Sequence, residues 1–299
     1  DSAVQAGVLT PNNVQAFRNH IKESRVTPAV DEEYFRLVTG FNDIFVVIAC
    51  LLLLVSIVWI GKSESLLLGS VLQAGTAWGL AEYFTRKRRM ALPSIVLLLA
   101  FVGGVFAIGL SVQVEAGIRR GEYELAIPAA IAAIAAWIHW IRFKVPITVA
   151  AGTVAVVTMI LAVILSYLPR EHSLLMPLVF FAGISVFLLA MKWDSSDIVR
   201  QTRRSDVAFW LHLIAAPLIV HPIFSLLNIF DSEVGMSQAV AVAVLYIFIA
   251  IVSISIDRRA MMVSALIYVL YAFNTLLEQY GIVSLGFAFT AFSIGSGLL

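Results

Sequence analysis

The stretch that decides the fold class is DVAFWLHLIAAPLIVHPIFSLLNIFD, which runs from Asp206 to Asp231. Its interior holds 24 residues without a formal charge when His is neutral. As one α-helix, this length is enough to cross a hydrocarbon core of about 30 Å. We therefore predict a membrane-spanning helix here. It is also the hydrophobic segment richest in groups that lipid disfavours or that disturb a helix, namely His212, His221, Pro217, Pro222 and Asn228.

The low charge content of the whole chain excludes an ordinary soluble domain. Charged residues make up 13% of the chain, hydrophobic residues make up 61%, and the mean hydropathy is +0.95. About a quarter of the residues are charged in soluble domains. Backbone groups in lipid must be satisfied within the segment, so we predict an all-α, polytopic membrane bundle of about ten transmembrane helices. The apolar segments are 42–61, 64–83, 90–113, 124–142, 146–168, 173–192, 207–230, 237–256, 260–278 and 282–299.

Lys and Arg are divided unequally between the two ends of these segments. With the N-terminal segment placed in the cytoplasm, 16 of them fall on the cytoplasmic side and 4 on the other side. The cytoplasmic turns are then 84–89, 142–145, 192–206 and 257–259. Because basic residues are enriched in cytoplasmic loops, we predict that both termini are cytoplasmic. The apolar segments themselves predict the lipid bilayer as a partner of the chain.

The first forty residues form a separate extramembrane piece, and residues 41–299 form the bundle. Thr10-Pro11 is typical of a helix start, and Val14, Phe17 and Ile21 follow on one face. We predict a small amphipathic helical hairpin that needs a partner surface, so residues 1–24 are a candidate site for a protein partner or for self-association. The last apolar segment runs to the final residue, and we expect it to be a truncated helix.

A polar pocket is the main candidate site. His212 and His221 are nine residues apart, which places them on opposite faces of a helix and roughly 13 Å apart along its axis. They could share one site only if the helix breaks, and Pro217 and Pro222 favour a break. The pocket would then include His221 and Pro222, with His212, Asn228, Gln73 and Asn274 as further candidates. The alternative is a kinked helix whose polar groups bond to neighbouring helices.

Other motifs indicate structure more than chemistry. Glu82 precedes Arg86 by four residues, which predicts an ion pair at the membrane interface. Gly75 and Gly79 form a GxxxG packing motif, and the alanines of 129–136 predict another close helix contact. An aromatic and basic belt at a membrane surface is predicted from Trp137, His139, Trp140 and Arg142.

Signatures of enzymes and of cofactor binding are not found in the sequence. It has no His-Glu-x-x-His motif, no phosphate-binding loop and a single cysteine, Cys50, in an apolar segment. We therefore predict a protein without enzymatic activity, metal or cofactor. The basic residues are spread over short turns, so nucleic-acid binding is not predicted.

The layout resembles a known group of bacterial membrane proteins. The residues AGVLTP at 6–11, followed by an amphipathic helix, a linker and many apolar segments, resemble the DUF2157-type membrane proteins. The runs VDEEYFRLVTGFNDIF at 30–45 and RRSDVAFWLHLIAAPLIVHPIF at 203–224 are similar to those of alphaproteobacterial proteins of this kind. The resemblance implies a multi-pass protein of the bacterial inner membrane whose function is unknown, and it supplies no catalytic residue.

Two functional hypotheses follow from these patterns. The first is a non-enzymatic accessory or scaffold protein, such as a subunit of a membrane assembly, because the apolar segments have no central carboxylate for ion coupling. The second is a transporter or sensor of a small solute, with its pocket at a broken helix 207–230. The two hypotheses differ on whether that segment borders a water-filled cavity.

Overall fold

The structure is a computed structural model, and it divides the chain into two units, Asp1–Leu37 and Val38–Leu299. In the first unit, a short helical stretch covers 12–17, and the Thr10 hydroxyl accepts a hydrogen bond from the Asn13 backbone N–H at 3.3 Å. Thr10 therefore caps this stretch as the sequence predicts. Phe17 is exposed, and the remainder of the predicted hairpin and linker lies outside the described residues. The described residues are 7, 10, 12–17, 41–117, 124–168, 174–197, 202–226, 236–255, 265–267, 269–270, 274 and 293.

The described part of the second unit is helical, with no strand among its residues. Its helices are α1 (Phe41–Lys62), α2 (Leu66–Ala81), α3 (Ala91–Glu115), α4 (Ala126–Phe143), α5 (Ile147–Tyr167), α6 (Leu175–Ser195), α7 (Arg203–Leu226) and α8 (Met236–Ser255). A π-helical stretch, Glu82–Lys87, continues α2. These bounds match the first eight predicted segments to within about four residues. Most of the last two predicted segments lies outside the described residues.

Six of these helices are long and apolar enough to cross a membrane, namely α1 and α3 to α7. The α-helical part of α2 has only 16 residues, although its π-helical continuation lengthens it, and a stretch of α8, Val240–Ile251, is a shorter apolar helix. The described residues therefore support a multi-pass membrane bundle. The described residues thus account for six membrane-spanning helices, and the prediction of about ten is not confirmed by them.

The helices pack as successive antiparallel neighbours, with the closest pairs being α2 with α3, α4 with α5, and α6 with α7. Four buried cores follow one another along the chain, and neighbouring cores share a helix. Their central residues include Cys50 and Leu97 for α1–α3, Leu98 and Ala136 for α3–α5, Ala150 and Leu211 for α5–α7, and Phe224 and Val242 for α7–α8. Cys50 is thus a buried core residue, as predicted.

Small residues allow the closest approaches between helices, but not at the predicted GxxxG motif. A Cβ atom on Gly183 of α6 would lie 2.8 Å from the backbone carbon of Leu218 on α7, so only glycine fits there. By contrast, a Cβ on Gly75 or Gly79 would meet no atom within 4 Å, so neither glycine is needed for a close approach of helices within the described chain. The predicted alanine contact on α4 is confirmed, because Ala129, Ala132, Ala135 and Ala136 are buried.

Candidate functional site

Helix α7 is continuous, so the predicted break in this segment is wrong. Both Pro217 and Pro222 lie inside the helix Arg203–Leu226. Pro222 has no N–H to offer the Leu218 carbonyl, but Gly183 of α6 packs directly against the backbone at Leu218. Half of the apolar window of α7 is buried, and this packing by neighbouring helices holds the segment helical despite the two prolines.

The two histidines of α7 lie in different surroundings. His212 is fully buried, and its Nε2 lies 3.7 Å from Oδ2 of Asp194 on α6. Its ring stands edge-on to Phe187 at 5.3 Å between centroids. His221 is only partly buried, and Asn228 lies outside the described residues. Asp194 was not among the predicted site residues because it follows the apolar segment 173–192 by two positions.

The other predicted pocket residues lie apart from His221. The Gln73 amide on α2 donates a hydrogen bond to the Ala100 carbonyl on α3 at 3.1 Å. Helices α2 and α7 are not among the helix pairs that pack closely. Asn274 is exposed and lies C-terminal to α8. The described structure therefore does not bring Gln73 and His221 into one pocket.

Glu82 forms the predicted ion pair and a closer one that the sequence did not indicate. Its Oε2 lies 3.4 Å from Nη1 of Arg86, one turn along the chain. Arg142 of α4 binds both carboxylate oxygens, with Nε to Oε1 at 2.7 Å and Nη2 to Oε2 at 3.0 Å. The π-helical stretch begins at Glu82, and such stretches occur often at functional positions. The bidentate contact joins the ends of α2 and α4.

His139 is a core residue, which corrects its predicted place in an aromatic belt. It is fully buried, and its Nδ1 lies 3.2 Å from the Thr148 hydroxyl oxygen on α5. The other ring nitrogen, Nε2, is buried and has no hydrogen-bond partner within the described structure. The rings of Phe143, Phe101 and Trp78 surround the imidazole at centroid distances of 4.5, 5.8 and 6.1 Å.

The helical period of α4 explains this position. Ala132, Ala136 and His139 are spaced by four and three residues, so His139 continues the buried alanine face. Trp137, on another face of α4, is 64% exposed. A periodic reading of the alanine stripe would have separated these two residues, whereas the belt interpretation treated them together.

These three polar pairs all lie at one end of the bundle, which we call the basic end. It is the end at which α2, α4 and α6 finish and α3, α5 and α7 begin, and it carries the basic turns 84–89, 142–145 and 192–206. Glu82–Arg142, His139–Thr148 and Asp194–His212 each connect two helices there. Among the described residues, no group of three or more His, Cys, Asp or Glu side chains could hold a metal ion.

Comparisons with family models, with curated proteins and with solved structures find no match to this chain. Its function has to be argued from its own residues. The chemistry of the basic end is that of interhelical hydrogen bonds and ion pairs. Each pair fixes one helix against another.

Proposed function

We propose that this chain is a non-enzymatic accessory or scaffold protein of the bacterial cytoplasmic membrane, acting as a subunit of a larger membrane assembly. In this proposal it has about ten transmembrane helices with both termini in the cytoplasm, as in the DUF2157-type proteins it resembles. The observation that carries the proposal is the pairing of polar side chains between helices. A scaffold needs one stable arrangement of its helices, and such pairs favour one arrangement.

The pairs occur at both ends of the bundle. At the end opposite the basic end, the Ser70 and Ser111 hydroxyls lie 3.3 Å apart, and Glu115 Oε1 accepts a hydrogen bond from the Leu67 backbone N–H at 3.1 Å. Together with Gln73 and Glu82, these contacts tie α2 to α3 and α4 along its length. Polar groups used in this way are not available to a solute.

The transporter or sensor alternative depended on a broken helix at 207–230. An unwound segment would expose backbone carbonyls to a cavity, as in transporters with discontinuous helices. Because α7 runs from Arg203 to Leu226 as one helix, it has no unwound segment of this kind. The partly buried His221 is the residue on which the alternative can still be tested.

The partner in this proposal binds outside the membrane, at residues 1–24. Phe17 lies on the helical stretch 12–17 and is 64% exposed, so an apolar side chain is available to a protein partner or to a second copy. A cytoplasmic N-terminal unit carrying this contact would recruit the bundle to its assembly.

Cysteine accessibility along α7 tests the proposal. Single cysteines are introduced over 207–226 in a chain whose Cys50 is replaced by Ala, and intact membranes are treated with water-soluble thiol reagents. Arg88→Cys, in an exposed basic turn, is the reactive control, and Leu52→Cys, at a 65% exposed apolar position of α1, is the unreactive lipid-facing control. We expect His221→Cys to behave like Leu52→Cys. Labelling of His221→Cys at the rate of Arg88→Cys would indicate an aqueous path and refute the scaffold proposal.

A further inference from the structure

A groove runs along the outside of the bundle between the α4–α5 hairpin and α6. Its volume is about 530 Å³, and it is lined by residues of all three helices. Three tryptophans, Trp137, Trp140 and Trp193, form much of its wall, and the small residues Ala136 and Gly152 also line it. The volume falls within the range of about 300–1,000 Å³ that is usual for sites of small organic ligands.

The groove is a consequence of how the hairpins pack. Helix α5 packs closely against α4 and only loosely against α6. Small residues face the resulting gap, since a Cβ on Gly152 would meet only the Ala136 Cβ, at 3.4 Å. Trp137 is 64% exposed and Leu189 is 36% exposed, so the groove opens onto the outer surface of the bundle. In a membrane, that surface faces acyl chains.

The lining of the groove is apolar along most of its length, with polar groups confined to a few positions. Thr148 and Thr153 of α5 supply hydroxyls, but the Thr148 hydroxyl is paired with His139 and the Thr153 hydroxyl with the Val149 carbonyl at 2.9 Å. Both hydroxyls therefore already have a partner within the bundle. The groove therefore suits a flexible hydrocarbon chain between aromatic walls.

A cation stands beside the groove at the basic end. Lys144 Nζ lies 5.3 Å from the centroid of the Trp140 ring, and Trp140 is part of the wall. Lys144 is exposed and has a left-handed backbone, with φ of 55°, at the end of α4. The other basic residue of this turn, Arg142, is bound by Glu82. Tryptophan and lysine side chains at the end of a membrane helix lie at headgroup depth.

We propose that this groove is a binding site for one anionic phospholipid, with an acyl chain between the tryptophan walls and the phosphate at Lys144 Nζ. A basic residue at the membrane surface attracts an anionic headgroup. A zwitterionic lipid could place the same chain in the groove but would gain less from Lys144. This site does not depend on whether the chain acts as a scaffold.

Native mass spectrometry of the full chain, released from detergent after delipidation, tests the site. Phosphatidylglycerol and phosphatidylcholine with identical acyl chains are titrated separately, and the first bound lipid is counted. We expect phosphatidylglycerol to bind several-fold more tightly, and Lys144→Gln to reduce that preference by roughly fivefold, the effect of removing about one surface cation. Lys87→Gln, which removes an exposed cation from another basic turn, should leave the preference unchanged.

A second pair of variants tests the acyl chain. Gly152→Leu should fill the groove and abolish the first binding event for both lipids, whereas Gly75→Leu, at an exposed glycine with open space around it, should not. Thermal unfolding of each variant checks that the fold is kept. Equal affinity for the two lipids, equal effects of Lys144→Gln and Lys87→Gln, or a dimer that Gly152→Leu dissociates would each overturn the proposal. The last result would assign the groove to a second copy of the chain.

Discussion

The hydrogen bond between His139 and Thr148 allows a direct measurement of what a buried polar pair contributes to this bundle. Thr148→Val keeps the shape of the side chain but removes the hydroxyl 3.2 Å from His139 Nδ1. Thr148 is 1% exposed and His139 is 0% exposed, so bulk water cannot replace the hydrogen bond that the imidazole nitrogen loses. Leaving a buried polar group unsatisfied costs about 1–3 kcal/mol.

The free energies of the two single variants and the double variant separate the pair from its surroundings. We expect Thr148→Val to lower the free energy of unfolding by about 1 kcal/mol. His139→Leu should cost somewhat more, because the ring also loses its contact with Phe143, worth about 0.5–1.5 kcal/mol. The double variant should cost less than the sum by about 0.6–1.7 kcal/mol, from the average to the largest coupling measured by double-mutant cycles between membrane helices.

Denaturant unfolding of the purified chain in mixed micelles provides these free energies. Thr153→Val is the matched control, because Thr153 is on the same helix but its hydroxyl bonds the Val149 carbonyl of its own helix. It should show no coupling with His139→Leu. If the effects of His139→Leu and Thr148→Val add to within about 0.3 kcal/mol, the two side chains do not interact and the geometry assigned to this pair is refuted.

Two further predictions concern the contacts between helices. Glu82→Gln breaks the bidentate contact with Arg142, so it should lower the melting temperature of the bundle at low salt. The loss should shrink at roughly 1 M salt, where exposed charges are screened. A loss no larger than that of Lys87→Gln would contradict the assigned pair. Gly183→Ala places a Cβ 2.8 Å from the backbone of α7 and should lower the unfolding free energy by about 1–3 kcal/mol. Gly103→Ala is the control, because a Cβ there meets open space, and it should be neutral or stabilising by up to about 1 kcal/mol. Equal melting temperatures for the two alanine variants would argue against the close approach of α6 and α7.

The course of α7 illustrates where sequence rules stop. Proline removes a backbone donor wherever it occurs, and this local property left open both a break and a kink at Pro217 and Pro222. Whether the helix breaks depends on what packs against it, and Gly183 brings α6 against the backbone at Leu218. That glycine is 35 residues away from Leu218 in the sequence, so no local pattern could reveal the contact.

His139 shows the opposite case, because its position follows from a pattern within the sequence of α4. Its spacing from Ala132 and Ala136 places it on the buried alanine face, and the structure confirms that face. Its proximity in sequence to Trp137 and Trp140 favoured a belt at the membrane surface. Periodicity was the better guide, because the direction of a side chain on a helix follows from its position in the turn.

The sequence by itself determined the class of the protein and the approximate bounds of its first eight helices, because length and apolar content are properties of each segment alone. Only the tertiary structure decided which polar side chains meet. Glu82 and Arg142 are 60 residues apart, and His139 and Thr148 are brought together across a turn between two helices. Such contacts depend on how helices cross and rotate against one another, which is set by packing over the whole bundle.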